Sequence, residues 1–270
     1  MMQVRPKTLV VEFTKMSGAG NDFVLLDNRF YHFSMAELSD LAIRYCARRT
    51  GIGADGLLAL HPSKTADFRM VYLNADGSVG TMCGNGARCL ARYAFDAGIE
   101  KTPLVFETAA GEYQAEVSPE TVRLTIPDYR DFAMLPADGE GPDRCYLWTG
   151  TEHLVVFVPD VAAADLERLG PALRETNPPA GANVNFVQVS GPDLLVRTYE
   201  KGVEAETLAC GTGATAAAAA ARLTGRLDAG EVRVRMSGGD LLVGFRPDGR
   251  ARYLEGPAEY IFRGTLEIPV

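Results

Sequence analysis

Leu208-Ala209-Cys210-Gly211-Thr212-Gly213-Ala214 is followed by Thr215 and six consecutive alanines at 216–221. Alanine is the strongest helix former, so a glycine-rich turn before such a run predicts a helix that begins close to Cys210. The free N–H groups and the dipole at a helix N-terminus favour an anion and lower the pKa of a thiol placed there. Cys210 is therefore a candidate reactive cysteine.

The same pattern occurs once more, earlier in the chain. Cys83-Gly84-Asn85-Gly86-Ala87 runs into Arg88-Cys89-Leu90-Ala91, which is again a helical sequence. For one copy alone, a structural turn before a packed helix would be the better interpretation, because a single cysteine is usually a small buried hydrophobic residue. The repetition favours catalysis. Two cysteines placed alike, one in each half, predict a single active site to which both halves contribute.

A dinucleotide-binding site is the competing interpretation of the glycines. Gly211–Ala216 fits the fingerprint G-x-G-x-x-A, and Gly51–Gly56 fits G-x-G-x-x-G. The fingerprint requires a strand before it and a helix after it. Gly51 follows a helical pattern and leads into a strand-like one, which reverses that order, and Cys210 stands where a featureless turn is expected. A dinucleotide site is therefore the weaker alternative.

Composition limits the class of protein. The chain has 270 residues, 47% hydrophobic and 23% charged, with a formal net charge of −8, which predicts a globular protein of one large or two ordinary domains. The acidic balance argues against nucleic acid as a partner, and no apolar run is long enough to span a membrane. Five cysteines without C-x-x-C pairing and three scattered histidines indicate neither a disulfide framework nor a metal site. We expect a cytoplasmic protein, because no signal peptide is visible.

Hydrophobic periodicity predicts many hairpin-linked strands and few helices. Helices are expected at 35–49, after the capping-box pair Ser34 and Glu37, at 161–175, and after each of the two cysteine motifs. The proline-containing segment 127–145 is the expected crossover between the halves. Strand and helix do not alternate as in dinucleotide-binding folds. The pattern predicts an α+β fold in two similar halves.

The order of several specific segments resembles the diaminopimelate epimerase family over nearly the whole chain. The segments are 15–23, 74–78, 82–89, 183–186, 197–200 and 209–213. The resemblance implies two pseudo-symmetric lobes, each a β-barrel-like sheet wrapped around a central helix, with the active site in the cleft between them. Residues 1–127 would form the N-terminal lobe, to which 258–270 returns, and 128–257 the C-terminal lobe. The resemblance also implies a homodimer.

The resemblance implies an epimerase that needs no cofactor, neither pyridoxal phosphate nor a metal, and that interconverts LL- and meso-diaminopimelate for lysine biosynthesis. Inverting an α-carbon requires a base on one face and an acid on the other, and a tuned cysteine can serve in either role near neutral pH. Cys83 and Cys210 match the family's acid–base pair. The positions that match its substrate-binding residues are Asn21, Asn74, Gly84, Asn85, Asn183, Glu200, Lys201, Gly211 and Thr212.

Three features depart from the family pattern. Lys201 stands where the family commonly has arginine, Thr151-Glu152 replaces Asn-Pro before His153, and the segment 200–210 is slightly longer than in many members. All three lie where the distal end of the substrate would be bound. A two-cysteine racemase of another amino acid, such as histidine or a proline derivative, therefore stays open. A non-catalytic binding protein of the same fold is a further alternative, against which the presence of both thiols argues.

Overall fold

The structure, a computed structural model, describes residues 8–136, 143–176 and 181–269. The chain divides into two compact units, Met1–Val117 with Ala258–Val270, and Ser118–Pro257. The expected boundary after Pro127 assigned the strand Thr121–Thr125 to the first lobe. That strand pairs with Ala251–Pro257 and so lies in the second unit. Among the described residues, no helix combines the length and the apolar character needed to span a bilayer.

The first unit is a sheet with one helix at its centre. Its strands are β1 (Thr8–Gly18), β2 (Asn21–Asp27), β3 (Gly56–His61), β4 (Phe68–Asn74), β5 (Val79–Gly80), β6 (Leu104–Thr108), β7 (Gly111–Val117) and, from the C-terminus, β18 (Glu259–Pro269). Its helices are α1 (Asn28–Tyr31), α2 (Met35–Tyr45) and α3 (Gly84–Asp96). The strands pair in the order β18-β1-β2-β3-β4-β6-β7, with β5 also bonded to β4. Helix α3 contacts β1, β2, β3, β4 and β7, so the sheet curves around it.

The second unit repeats this arrangement. Its strands are β8 (Thr121–Thr125), β9 (Arg130–Leu135), β10 (Arg144–Trp148), β11 (Glu152–Phe157), β12 (Asn183–Ser190), β13 (Asp193–Glu200), β14 (Ala205–Thr207), β15 (Glu231–Met236), β16 (Gly239–Phe245) and β17 (Ala251–Pro257). Its helices are α4 (Leu166–Thr176) and α5 (Gly211–Leu223). The order is β9-β10-β11-β12-β13-β15-β16-β17-β8, with β14 also on β13. Helix α5 contacts strands β10 to β13 and β15 to β17 and lies at the centre.

The two units share an internal topology. In the first, β2 and β3 are parallel, as are β4 and β6; in the second, the parallel pairs are β11 with β12 and β13 with β15. The other pairings are antiparallel. This correspondence confirms the predicted α+β fold with two pseudo-symmetric halves.

Burial explains why the central helix of the second unit is so rich in alanine. Residues 213–221 of α5 are buried without interruption, so every face of the helix meets a strand. Alanine side chains let the surrounding backbone approach closely on all sides, and they lose almost no rotamer entropy on burial. The sequence pattern is therefore that of a core helix rather than of an amphipathic surface helix.

A second helix covers the outer face of each sheet. Leu38 and Leu41 of α2 pack with Val11, Val24 and Leu57 of the first sheet. In the second unit, Leu166 of α4 packs in the same cluster as residues 154, 156, 184 and 186 of β11 and β12. Each sheet thus separates an inner core around its central helix from an outer core beneath the covering helix.

Several predicted elements differ in extent from the observed ones. Helix α2 ends at Tyr45 rather than near Arg49, because the chain turns there and brings Gly51 against the carbonyl oxygen of Tyr45. Helix α4 begins at Leu166 rather than 161, since Asp165 Oδ1 accepts a hydrogen bond from the N–H of Arg168 and caps the first turn. The expected crossover 127–145 contains strand β9, and its residues 137–142 lie outside the described residues.

Candidate active site

In the first unit, Cys83 caps the N-terminus of α3. Its backbone is extended (φ −135°, ψ 117°), and its Sγ accepts a hydrogen bond from the N–H of Gly86 at 3.5 Å. Such positions usually carry serine, threonine, aspartate or asparagine, whose oxygens accept this bond well. A neutral thiol is a weak acceptor, whereas a thiolate is an anion that the helix terminus stabilises. The position therefore favours the deprotonated form of Cys83.

The first two N–H groups of α3 belong to Gly84 and Asn85, which we predicted to bind a carboxylate. The first regular helical bond is donated by Ala87 to the carbonyl oxygen of Cys83 at 2.8 Å. Helix geometry leaves the N–H groups of Gly84 and Asn85 without an intrahelical acceptor. They are placed to receive an anion, although binding of substrate there stays a prediction.

The side chains of Asn21 and Asn85 are brought together by a partly buried polar network. Asn85 Nδ2 donates to Asn21 Oδ1 at 2.7 Å, and Asn21 Nδ2 donates to Asp55 Oδ2 at 2.8 Å. On the other side, the fully buried Arg88 donates through Nη2 to Asn85 Oδ1 at 2.7 Å. An arginine can only donate and an ionised carboxylate can only accept, so the direction of each hydrogen bond in this network is defined. The network therefore fixes the orientation of both amides. No sequence pattern marked Asp55 or Arg88 as part of this network.

Asn74 lies at the end of β4 and has a local partner. Its Nδ2 donates to Ser78 Oγ at 2.9 Å, and its N–H donates to the carbonyl oxygen of Ser78 at 2.9 Å. The structure therefore shows Asn74 closing the turn before β5, and asparagine, aspartate and glycine are common turn residues. Its contact with substrate stays a prediction.

In the second unit, Cys210 repeats the geometry of Cys83. It caps α5 with φ −130° and ψ 110°, and its Sγ accepts from the N–H of Gly213 at 3.4 Å. A second contact joins Sγ to Thr212 Oγ1, also at 3.4 Å. Cys210 as a whole is only 6% exposed. Both predicted catalytic cysteines are therefore helix N-caps whose thiols receive a backbone N–H at the third helical position.

The turn between β10 and β11 packs on the first residues of α5, Gly211 and Thr212. Thr149 Oγ1 donates to the carbonyl oxygen of Thr212 at 2.8 Å. Gly150 has a positive φ of 107°, and a side chain there would come within 3.4 Å of Thr212 Cγ2. This contact holds the start of the helix in place and brings the segment around Glu152 toward it.

Beneath Cys210 lies a buried network that the sequence analysis missed. Asn185 Nδ2 donates to Leu154 O at 3.1 Å, and its Oδ1 accepts from Thr198 Oγ1 at 3.0 Å. These two bonds define the amide orientation, so the 3.0 Å contact with His153 Nδ1 is also donated by Asn185 Nδ2. The neutral ring of His153 then carries its proton on Nε2, which is buried and has no hydrogen-bond partner among the described residues.

Burial keeps His153 neutral. The side chain is fully buried, and the resulting desolvation lowers its pKa to about 3. The sequence did carry a signal for this network, since Asn183 and Asn185 alternate with apolar residues of β12 and therefore share one face of the sheet. Two polar residues on the inward face of a buried strand require partners there.

Asn183 and Lys201, two of the remaining predicted residues of the second unit, form one cluster with Glu152. Asn183 is buried, accepts the N–H of Lys201 through Oδ1 at 2.8 Å, and donates through Nδ2 to the carbonyl oxygen of Glu152 at 3.3 Å. Lys201 Nζ lies 2.8 Å from Glu152 Oε2. The structure thus pairs two of the residues that depart from the family pattern, and it shows Asn183 bonding to the backbone of both.

Glu200 ends β13, next to Lys201, and is half-buried. It pairs with Ala205 of β14, and its carbonyl oxygen accepts the N–H of Glu204 at 2.9 Å. The segment that follows is a tight hairpin in which Gly202 has a positive φ of 90°. The residues beyond Glu200 therefore form the turn between β13 and β14. A contact between Glu200 and a substrate ammonium stays a prediction.

The other three cysteines are buried. Burial raises the pKa of each of these three thiols to about 12, and the residues are Cys46, Cys89 and Cys145. All five thiols are free. No group of three or more histidine, cysteine or carboxylate side chains suited to a metal occurs in the part of the chain that the structure describes. The chemically distinctive thiols are those of Cys83 and Cys210.

Comparison with known proteins agrees with this geometry. A family model described as diaminopimelate epimerase matches residues 13–127 and 145–261. The diaminopimelate epimerase of Chlorobaculum tepidum is 44% identical over 263 residues, which covers 94% of this chain and 100% of that protein. The chain belongs to the diaminopimelate epimerase family. It is accordingly an isomerase of the epimerase class.

Solved structures share the fold of this epimerase at low sequence identity. A phenazine biosynthesis protein of the PhzF family from Bacillus anthracis has a TM-score of 0.75 at 15% identity, covering 96% of this chain and 99% of that one. A hydroxyproline epimerase from Agrobacterium vitis, with bound trans-4-hydroxy-L-proline, has a TM-score of 0.67 at 16% identity, covering 97% and 93%. At these identities the similarity shows the fold alone.

Proposed function

We propose that this epimerase interconverts LL- and meso-diaminopimelate, with Cys83 and Cys210 as its acid–base pair. The observation that carries the proposal is that both cysteines are N-caps whose Sγ accepts a backbone N–H, at 3.5 Å and 3.4 Å. The family assignment supports the substrate, because the Chlorobaculum tepidum relative bears the name diaminopimelate epimerase.

The proton transfers balance without a further reagent. One cysteine, as thiolate, takes the α-proton and becomes a thiol, while the other thiol delivers a proton to the opposite face of the carbon and becomes a thiolate. The two roles exchange when the substrate has the other configuration. Each helix N-terminus stabilises its sulfur as an anion, so either cysteine can act as the base. A general acid–base pair contributes about 10²- to 10⁴-fold per proton transfer.

The substrate's α-carboxylate needs donors, because negative charge grows on it as the proton leaves. The N–H groups of Gly84, Asn85, Gly211 and Thr212 are the first two of their helices and suit this role. Such donors are fixed before the reaction, so they need no reorganisation when the charge develops. No step in this scheme uses a cofactor.

We further propose that the enzyme acts in the cytoplasm as a homodimer and supplies lysine biosynthesis. The five free thiols are consistent with a reducing compartment. Sedimentation velocity at micromolar concentration measures the oligomeric state, and a single species of 29.1 kDa would contradict the dimer.

Exchange of the α-proton in D₂O tests the reaction and the substrate together. LL-diaminopimelate, histidine and proline are incubated separately with the reduced enzyme, without added cofactor, and followed by NMR. We expect deuterium at the α-carbon of diaminopimelate together with the meso isomer. Exchange with histidine or proline only would move the enzyme to another amino acid, and no exchange with any of them would favour a binding protein.

A further inference from the structure

Arg88 is a positive charge enclosed within the first unit. Its side chain is fully buried. Its Nη2 donates to Oδ1 of Asn85, the second residue of α3, at 2.7 Å. The guanidinium group of an arginine does not lose its proton in a protein. A fixed cation therefore lies beneath the first turn of the helix that Cys83 caps.

Two thiols act on this cation. Burial lowers the pKa of Arg88, and the charges of Cys89 and Cys83 act in the opposite direction. Cys89 is itself fully buried, which raises the pKa of its thiol to about 12 and keeps it neutral. Cys83 is only partly buried. It is therefore the thiol that can ionise beside Arg88, and a nearby opposite charge favours the ionised form.

The carboxylates on the neighbouring strands are balanced by other cations. Asp22 of β2 lies 2.7 Å from Lys15 Nζ and 2.9 Å from Arg48 Nη2. Asp55, just before β3, lies 2.5 Å from Arg48 Nη2. The two carboxylates and the two cations cancel in sum. The charge of Arg88 is therefore added to a group of side chains that is neutral overall.

The other titratable groups around α3 do not offset this charge near Cys83. Tyr72 of β4 and Tyr113 of β7 are phenols, which are neutral near pH 7. Asp27 of β2 pairs with Arg29 at the C-terminal end of the helix. Several charged side chains of these strands are exposed, so water and salt screen them; they are Glu12, Arg69, Glu112, Glu116 and Glu259.

The second unit places neutral and negative groups around Cys210. Thr215 follows Cys210 by five residues, as Arg88 follows Cys83. Burial keeps His153 neutral, with a pKa of about 3. By strand alternation, Glu200 lies on the inward face of β13, and a carboxylate disfavours a second negative charge nearby. Burial of Cys210 also disfavours its thiolate.

Other charges on the strands around α5 are paired or exposed. Glu152 lies 2.8 Å from Lys201 Nζ, and Glu255 of β17 lies 2.8 Å from Arg123 Nη2. The exposed charged side chains include Glu231, Arg233, Arg235, Asp240 and Arg252. The two cysteines thus share the same cap geometry but differ in the buried charge beside them.

We propose that Arg88 makes Cys83 the thiolate of the substrate-free enzyme and leaves Cys210 as the thiol. The inference rests on the proposed function for the part of the two thiols in turnover, and it gives them unequal starting roles. When Cys83 has taken an α-proton and Cys210 has delivered one, Cys83 is the thiol and Cys210 the thiolate. The pair must then exchange a proton with water to return to the starting state. Because Arg88 acts through Cys83, it is a positioning residue.

The test titrates the two thiols separately in the reduced enzyme without substrate. The rate of alkylation by iodoacetamide is measured from about pH 5 to pH 10, since the thiolate is the reactive form. Mass spectrometry assigns the product to Cys83 or Cys210. The midpoint of each profile gives the pKa of that thiol, whatever the access of the reagent to the sulfur. We expect the midpoint of Cys83 to lie at least about one pH unit below that of Cys210.

Two variants of Arg88 test the origin of this difference. Arg88→Met keeps the length of the side chain but removes its charge. The pKa of Cys83 should then rise by at least about one pH unit, which lowers its thiolate fraction about tenfold at a given pH. The pKa of Cys210 should change by less than about 0.3. Arg88→Lys keeps the charge and should hold the pKa of Cys83 within about half a pH unit of wild type.

Arg92→Met is the matched control. Arg92 is a second buried arginine of α3, only 9% exposed, and lies one turn further from Cys83. One turn adds about 6 Å of helix rise, and the Coulomb interaction weakens with distance. This variant also loses a buried charge, but it should raise the pKa of Cys83 by less than about half as much as Arg88→Met.

Several results would overturn the inference. A midpoint of Cys83 at or above that of Cys210 in the wild type would do so, as would an unchanged midpoint in Arg88→Met. Equal rises in Arg88→Met and Arg92→Met would show a general loosening of the helix instead. If Arg88→Met does not fold, loss of the low midpoint in folded Arg88→Lys would contradict the role of the charge. Absence of α-proton exchange with LL-diaminopimelate would refute the proposed function, whereas the titration without substrate decides the role of Arg88 independently.

Discussion

The two copies of the cysteine motif should respond differently to the same substitution. Gly86 and Gly213 occupy the third position of α3 and α5, and each donates its N–H to the capping thiol. A methyl group at Gly213 would overlap Asn185 Oδ1 and lie 3.3 Å from Cys210 Sγ. We therefore predict that Gly213→Ala damages both stability and activity.

The size of the stability loss in Gly213→Ala follows from the hydrogen bonds of Asn185. Its amide makes hydrogen bonds with Leu154, Thr198 and His153, so it cannot move aside without breaking one of them. Overpacking costs about 1–3 kcal/mol, and a broken bond of a buried amide about 1–3 kcal/mol more. Replacing a helical glycine by alanine returns about 0.5–1 kcal/mol. The net loss in the free energy of unfolding is about 3 kcal/mol. This corresponds to a thermal unfolding midpoint that is lower by about 6–12 °C.

Gly86→Ala is the control for this argument. A methyl group there would meet the side-chain ends of Leu58 and Phe23, each at 3.3 Å. Such side-chain ends can shift by a few tenths of an ångström, and the gain in helix propensity offsets the cost. We expect the free energy of unfolding of Gly86→Ala to lie within about 1 kcal/mol of the wild-type value.

Thermal unfolding and α-proton exchange measure the two effects. Gly213→Ala should unfold at a lower temperature and exchange substrate at least about tenfold more slowly, since the new methyl displaces the thiol. Gly86→Ala should stay close to wild type in both measurements. Equal effects of the two substitutions, or a Gly213→Ala protein as stable as wild type, would refute the role given to Asn185.

Three further predictions concern buried groups. Arg88→Met removes the donor to Asn85 Oδ1 and should lower the free energy of unfolding in urea by about 1–3 kcal/mol; an unchanged value would contradict the network. His153 stays neutral in the folded protein, where its pKa is about 3, but binds a proton in the unfolded chain. The free energy of unfolding should therefore fall by about 1.4 kcal/mol per pH unit as the pH drops from 6.5 toward 3. The variant His153→Asn should lose that part of the slope, and an equal slope between pH 6 and 4.5 would refute the assignment. Iodoacetamide at pH 8 should leave three thiols of the native protein unmodified, those of Cys46, Cys89 and Cys145. In urea it should label all five thiols, and mass spectrometry measures both results. Native labelling of any of these three would contradict their burial.

Local signals in the sequence were sufficient to predict the starts of α2, α3 and α5. Glycine-rich turns before helical runs predicted that Cys83 and Cys210 begin helices, and both are N-caps. The capping box of Ser34 and Glu37 is likewise present. Each of these features depends on residues within four positions of one another, so a linear pattern contains all the information needed.

Contacts between distant strands could not be predicted in the same way. The pairing of β8 with β17, which moves the boundary of the units, joins residues far apart in the chain. The contact between Glu152 and Lys201 depends on the register of β11, β12 and β13. Both residues were recognised as departures from the family, but only the fold shows that they are partners.

Asp55 belongs to a glycine motif whose role the sequence pattern did not show. Gly51–Gly56 fits a dinucleotide fingerprint by composition, which the order of elements made unconvincing. In the structure, Asp55 at its end accepts the amide of Asn21 at 2.8 Å and the N–H of Asp22 at 3.2 Å. Its position depends on the parallel pairing of β2 with β3, which the linear pattern does not show.

Serine substitution of each cysteine tests the two-thiol mechanism most directly. Serine is a favoured N-cap, so Cys83→Ser and Cys210→Ser should keep the caps of α3 and α5 while replacing each thiol by a far weaker acid. Conversion of LL-diaminopimelate to the meso isomer, followed by NMR in D₂O, should fall by at least about 10²- to 10⁴-fold in either variant. Near wild-type epimerisation by either folded variant would contradict the two-thiol account.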